Sequence, residues 1–128
     1  MKSLFSVSGI VIPASQRGRT LGFPTANLNI SANNLPEGIF FAYANHQGHK
    51  YPALLFIGSA LTFSEFVKKV EVYVLVKVEN WYDQEIEVEA LQRHRDNMKF
   101  FSADALVAQM KLDEEAAKKF FESLSQTS

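Results

Sequence analysis

From Val70 to Glu79 the chain alternates strictly, with valine at 70, 72, 74, 76 and 78 and Glu71, Tyr73, Leu75, Lys77 and Glu79 between them. Period-two alternation puts the valines on one face of a strand and the other residues on the opposite face. A strand with one apolar face needs neighbours with matching faces before it is stable. The chain supplies them. Leu4 to Ile12 carries Phe5, Val7, Gly9 and Val11 on one face, and Pro13 ends it. Phe23 to Ile30 is a short extended segment. Ile39 to Asn45 and Tyr51 to Ile57 flank His46-Gln47-Gly48-His49, which reads as a hairpin connection. Glu85 to Leu91 sets Ile86, Val88 and Ala90 against Glu85, Glu87 and Glu89, and those three carboxylates read as a solvated face. Leu35-Pro36-Glu37-Gly38 and Asn80-Trp81-Tyr82-Asp83-Gln84 are turn signals.

After Arg95 the period changes. Ser102 suits an N-cap, followed by Leu106, Val107 and Met110 at helical spacing. Asp113 suits the cap of a second helix, whose apolar stripe is Ala116, Ala117, Phe120, Phe121 and Leu124. That stripe reads as core packing. About six strands followed by one or two helices give a mainly β fold, a small closed or nearly closed antiparallel barrel with a helical lid.

Composition removes several function classes. The chain has 128 residues, enough for one domain, and its 47% hydrophobic content with eleven phenylalanines supports a packed core. A net charge of −1 offers no basic footprint for nucleic acid, which argues against an oligonucleotide-binding barrel of the same strand count. The absence of cysteine excludes disulfides, thiol catalysis and Cys-ligated zinc. No apolar run reaches the length of a membrane span, and Met1 to Gly9 holds no signal-like stretch, so the expected location is the cytoplasm. His46, His49 and His94 have no acidic partner at metal-ligand spacing and read as non-metal residues.

The densest chemical signal is Arg17-Gly18-Arg19-Thr20-Leu21-Gly22-Phe23-Pro24-Thr25-Ala26-Asn27-Leu28. Its glycines let the backbone bend and let a ligand approach the main chain. Pro24 fixes its own φ and pushes Phe23 towards an extended conformation. Thr25 and Asn27 share a face in an extended segment, pairing a hydroxyl with an amide oxygen. Two guanidiniums, a glycine loop and neutral oxygen donors suit a phosphate chain and a hard cation. An ordinary turn leading into a strand is the plain alternative.

Gly18 to Leu28 resembles, without a mismatch, the Gly-Arg-x-Leu-Gly-Phe-Pro-Thr-Ala-Asn-Leu signature of riboflavin kinases, the flavokinase family. Pro36-Glu37-Gly38 before an aromatic-rich strand is similar too. So is Arg95 to Ser102, then Leu106, Gln109 and Asp113, which follows that family's closing Arg-x-x-x-Lys-Phe-x-Ser and helix. Gly58 to Phe63 departs from Gly-x-x-Pro-Thr-Phe, with Ala60 at a usually polar position and Leu61 at the proline. Asp83 follows Tyr82 where the family commonly has glycine, and Ala14 and Gln16 stand in a loop that usually carries more glycines. The resemblance runs from Gly9 to about Ala117.

It implies a six-stranded antiparallel Greek-key barrel with a C-terminal helix or helices. The expected organisation is one domain over residues 1–128, with the barrel at about 4–92 and the helical region at about 102–125. The implied reaction is ATP-dependent phosphorylation of the riboflavin ribityl 5′-hydroxyl, giving FMN and ADP. By resemblance, Arg17, Gly18, Arg19, Gly22, Pro24, Thr25 and Asn27 meet the ATP phosphates, and Thr25 and Asn27 hold Mg²⁺. Glu71 is the general base. Thr62, Phe63, Arg95 and Phe100 lie on the flavin side, with Trp81 and Tyr82 as candidates beside the ring. The implied partners are small-molecule substrates, with neither nucleic acid nor membrane, and an FMN adenylyltransferase, fused or separate. A barrel that binds flavin or nucleotide without kinase activity is the alternative.

Overall fold

The computed structural model describes residues 2–13, 26–59, 68–76 and 78–126. Among the described residues there are six strands, β1 (Phe5–Pro13), β2 (Ala26–Leu28), β3 (Gly38–His46), β4 (His49–Gly58), β5 (Lys69–Val74) and β6 (Glu85–Arg95), and β6 is followed by a helix, α1 (Ala103–Gln126). They close into an antiparallel barrel in the order β1-β2-β5-β4-β3-β6. Strands β3, β4 and β5 are sequential neighbours and β6 returns beside β3, which is a Greek key.

The alternating faces turn inward as their pattern requires. Val7, Val11, Leu28, Phe40, Leu55, Ile57, Val70, Val72, Ile86 and Val88 form the interior cluster. Ala53, Ala42 and Ala90 stand in register across β4, β3 and β6 and are fully buried, so the barrel is narrow where only methyl groups face in. The β3–β4 hairpin turns through Gln47 and Gly48, both with positive φ, the two-residue geometry that matches strand twist.

Two elements differ from the sequence pattern. The valine alternation predicts a strand to Glu79, yet β5 ends at Val74. Leu75 N–H donates to Pro52 O at 2.9 Å, but Pro52 has no N–H to return, so the ladder stops there. The helical region is one continuous helix, not two. Ser102 caps it as expected, its Oγ accepting from Ala105 N–H at 3.1 Å. Asp113 caps nothing; it is fully buried in mid-helix, and its carboxylate is engaged elsewhere.

The helix packs on the outer face of the barrel. Ala117 joins Ile39, Phe41 and Leu54 in a second buried cluster, with Phe56, Tyr73, Ala116, Phe120 and Phe121 around it. Phe120 stacks on Phe41 at 4.7 Å between ring centroids. Among the described residues, no helix is long and apolar enough to cross a membrane.

Candidate active site

Because Ala26, Leu28, Val70 and Val72 face inward, Asn27 and Glu71 face outward, and they are direct partners in the β2–β5 ladder. Such partners stand about 5 Å apart. The same register continues through Phe56 on β4 and Ile39 on β3 to Arg95 on β6. Three strand spacings, about 14 Å along the curved surface, separate Glu71 from Arg95. The barrel thus draws residues 27, 71 and 95 into one row. Arg17, Gly18, Arg19, Gly22, Pro24, Thr25, Thr62 and Phe63 lie outside the described residues.

The Asn27 end is polar and unsatisfied. Its side-chain Oδ1 is buried and, among the described residues, has no hydrogen-bond partner. A buried acceptor without a donor costs about 1–3 kcal/mol, so such an atom calls for a ligand. An amide oxygen is also a donor type that Mg²⁺ accepts, so Asn27 fits the cation that the family motif implies. Among the described residues, no three His, Asp or Glu side chains cluster to hold a metal without such help.

The Arg95 end is built around a multiply bonded carboxylate. Arg95 Nε donates to Asp113 Oδ1 at 2.8 Å and Nη2 donates to Oδ2 at 2.7 Å. Gln109 Nε2 donates to Oδ1 at 3.0 Å, and His94 Nε2 lies at the same distance from that oxygen. Burial pushes the Asp113 carboxyl up, but the Arg95 and Gln109 hydrogen bonds and the positive charge of Arg95 outweigh it, so its pKa falls below the ordinary value. Arg95 Nη1 also donates to Asp96 O at 3.0 Å, and its guanidinium carbon lies 6.0 Å from the Phe100 ring centroid.

The segment from Asp96 to Ser102 is tied on its other edge as well. Asn97 Nδ2 donates to Ser59 O at 2.8 Å, across the end of β4. Gly58 makes room for that amide: it has φ +152°, and a Cβ there would come within 2.8 Å of Asn97 Nδ2.

Between the helix and Glu71 stands Tyr73, two residues along the same outer face of β5. Its hydroxyl donates to Glu114 Oε2 at 2.9 Å. Burial, together with the bond and charge of Glu114, pushes its pKa up to about 12.

Trp81 and Tyr82, the candidates for a turn beside the ring, stand at the other end of β6 from Arg95. They flank the start of β6, whereas Arg95 ends it, ten residues and about 33 Å of strand away. With Val11, Ala26, Val72 and Val74 they line a cavity of about 460 Å³ next to β2. Trp81 is held by His46, stacked at 4.5 Å, and by Tyr51 at 5.2 Å. In the adjoining turn Asp83 has φ +67°, the left-handed conformation that suits the glycine of the resembled pattern and that Asp tolerates better than most residues.

Asp113, which the sequence reading cast as a helix cap and as part of the resembled closing region, carries a contact that neither reading gave it. It falls three residues after Met110 and four before Ala117, on the apolar stripe of a helix. A carboxylate there must find a cation, and that spacing was the available signal.

The narrow Greek-key barrel thus carries an outward row that begins at Asn27 and Glu71, passes Phe56 and Ile39, and ends at Arg95, bonded to the helix. The riboflavin kinase (flavokinase) family model matches residues 1–121, and the chain belongs to that family. A bifunctional riboflavin kinase/FMN adenylyltransferase of Listeria monocytogenes is 32% identical over 94% of this chain and 39% of its own length. The Escherichia coli K12 protein of the same description is 33% identical over 91% and 38%. The chain therefore spans about two fifths of the length of these relatives. Among solved structures, a macrolide-efflux protein from Streptococcus pneumoniae superposes with a TM-score of 0.73 and 34% identity, over 88% of this chain and 38% of that one. Riboflavin kinase from Trypanosoma brucei superposes with a TM-score of 0.63 over 91% and 79%; at 22% identity that likeness speaks for the fold.

Proposed function

We propose that the chain transfers the terminal phosphoryl group of ATP to the ribityl 5′-hydroxyl of riboflavin, giving FMN and ADP. The observation that carries the reading is the register pair Asn27–Glu71. Phosphoryl transfer asks a protein for positioning, charge neutralisation and a proton acceptor, with little covalent chemistry. A carboxylate one strand spacing from an amide oxygen suits two of these needs. Asn27, with Thr25, would hold Mg²⁺, which would supply charge neutralisation for the phosphates. Arg17, Arg19 and the backbone around Gly18, Gly22 and Pro24 serve the phosphates. Glu71 accepts the proton of the attacking hydroxyl.

Two different surroundings support two substrates. On the inward face of β2, behind the outward pair, lies the apolar cavity walled by Trp81 and Tyr82, suited to a flat ring. Across the row lies the segment with Arg95 and Phe100, which together with Thr62 and Phe63 forms the flavin side. The reaction belongs to the cytoplasm, and an FMN adenylyltransferase, fused or separate, is the partner that consumes FMN.

The test is chromatographic detection of FMN after incubation with riboflavin, ATP and Mg²⁺, for wild type and Glu71→Gln. Wild-type FMN that vanishes in the variant supports the assignment. Wild type that binds riboflavin without making FMN would instead mean a binding barrel.

A further inference from the structure

We infer that Asp113 is a positioning residue for the flavin side of the site, acting through Arg95 to fix the course of the chain from Arg95 to Phe100. The inference rests on the kinase reading above. Asp113 is wholly buried, on a helix face whose other buried members, Met110 and Ala117, are apolar. Anchoring the helix does not require a charge. Ala117, one turn further on, does so against Ile39, Phe41 and Leu54 with a methyl group. A buried ion pair adds little net stability over well-packed apolar side chains. What it adds is direction.

The two parallel bonds from Nε and Nη2 fix the plane of the Arg95 guanidinium. With the plane fixed, Nη1 meets the Asp96 carbonyl and the guanidinium lies over Phe100. Gln109, one helical turn before Asp113, donates to the same oxygen as Arg95 Nε and holds the carboxylate in its rotamer. Asn97 ties the segment's other edge to Ser59, where the chain leaves β4 for Thr62 and Phe63. Two clamps thus hold this segment, and the Asp113 clamp reaches it from the helix.

Steady-state FMN formation tests this, varying riboflavin and MgATP separately, for wild type, Asp113→Asn, Gln109→Ala, Arg95→Gln and the Asp113→Asn/Arg95→Gln double variant. Riboflavin binding is followed in parallel by quenching of flavin fluorescence. Asp113→Asn is expected to raise both KM and Kd for riboflavin roughly tenfold, with KM for MgATP changed by less than about twofold. The double variant is expected to be no worse for riboflavin than Arg95→Gln alone, because both act through one contact. A lower melting temperature with riboflavin Kd unchanged, or an equal rise in both KM values, overturns the inference. If Asp113→Asn does not fold, Gln109→Ala removes one neutral donor and is expected to shift riboflavin Kd in the same direction by less; a flat Kd overturns the inference. Wild type without FMN formation refutes the kinase reading, and riboflavin Kd across the same variants then still decides the role of Asp113. Wild type that neither turns over nor binds riboflavin overturns both.

Discussion

The row from Asn27 to Arg95 ends in two polar groups built on opposite terms. Asn27 sits in a three-residue strand with a buried carbonyl oxygen that has no partner among the described residues. Arg95 closes an eleven-residue strand and grips a carboxylate that Gln109 and His94 also reach. The first arrangement costs stability until something binds, and the second is complete without a ligand. At Asn27 the unsatisfied buried oxygen leaves room for a ligand. At Arg95 the multiply bonded carboxylate marks what must not move.

Glu71 breaks or upholds the comparison most sharply, because its carboxylate is assigned to chemistry rather than to architecture. Glu71→Gln keeps the shape and removes the proton acceptor. It is expected to lower kcat by about 10²- to 10⁴-fold with riboflavin Kd and melting temperature little changed. A variant with near wild-type kcat would remove Glu71 from the mechanism.

Asp113→Ala comes next and should do the reverse. It leaves Arg95 without its counter-charge and is expected to cost about 3 kcal/mol in denaturant unfolding. Its pH dependence has a definite sign. The Asp113 pKa is lowered in the folded state, so its contribution is complete above the ordinary aspartate range and is lost as pH falls through the lowered value. Asp113→Asn should therefore show a flatter acid limb than wild type below about pH 4. An acid limb as steep as that of wild type would mean that the ion pair contributes nothing to folding.

Asn27→Ala inverts that pattern. Removing a buried acceptor that has no donor should change unfolding stability by no more than about 1 kcal/mol, in either direction. FMN formation should nevertheless be lost. A large loss of stability would mean that the Asn27 oxygen is already satisfied in the ligand-free protein, and the contrast with Asp113 would fail.

The barrel was legible in the sequence because alternation is a local signal and six faces had to close on one another. The inward set of Val7, Val11, Val70, Val72, Ile86 and Val88 follows it directly. The end of β5 was not legible, since it depends on a proline in another strand, Pro52, that the local pattern at Leu75 cannot see. The unbroken helix was missed for a related reason. Asp is a good cap when its carboxylate is free, and only the fold reveals that Arg95 has claimed it. At the candidate site, the motif singled out Asn27 and the resemblance singled out Glu71, but their pairing is a matter of register between strands more than forty residues apart. Trp81 and Tyr82 were sensed as ring neighbours from their chemistry, while their place at the far end of β6 from Arg95 needed the topology.

Tyr73 offers the smallest and most discriminating test, because it shares a strand face with Glu71 and a hydrogen bond with the helix. Tyr73→Phe removes the bond to Glu114 and should cost about 0.5 kcal/mol, at the low end because the hydroxyl is only partly buried. The loss has its own pH signature. The folded-state pKa is pushed up to about 12 from an ordinary 10.0, so the hydroxyl's contribution is complete below that ordinary value and disappears as pH rises through the raised one. The stability gap between wild type and variant should close across that interval. If kcat and both KM values stay within about twofold of wild type, the helix holds this part of the barrel without tuning Glu71. If kcat falls while stability barely moves, the division between a chemical end and an architectural end gives way, and the helix reaches the base through Tyr73.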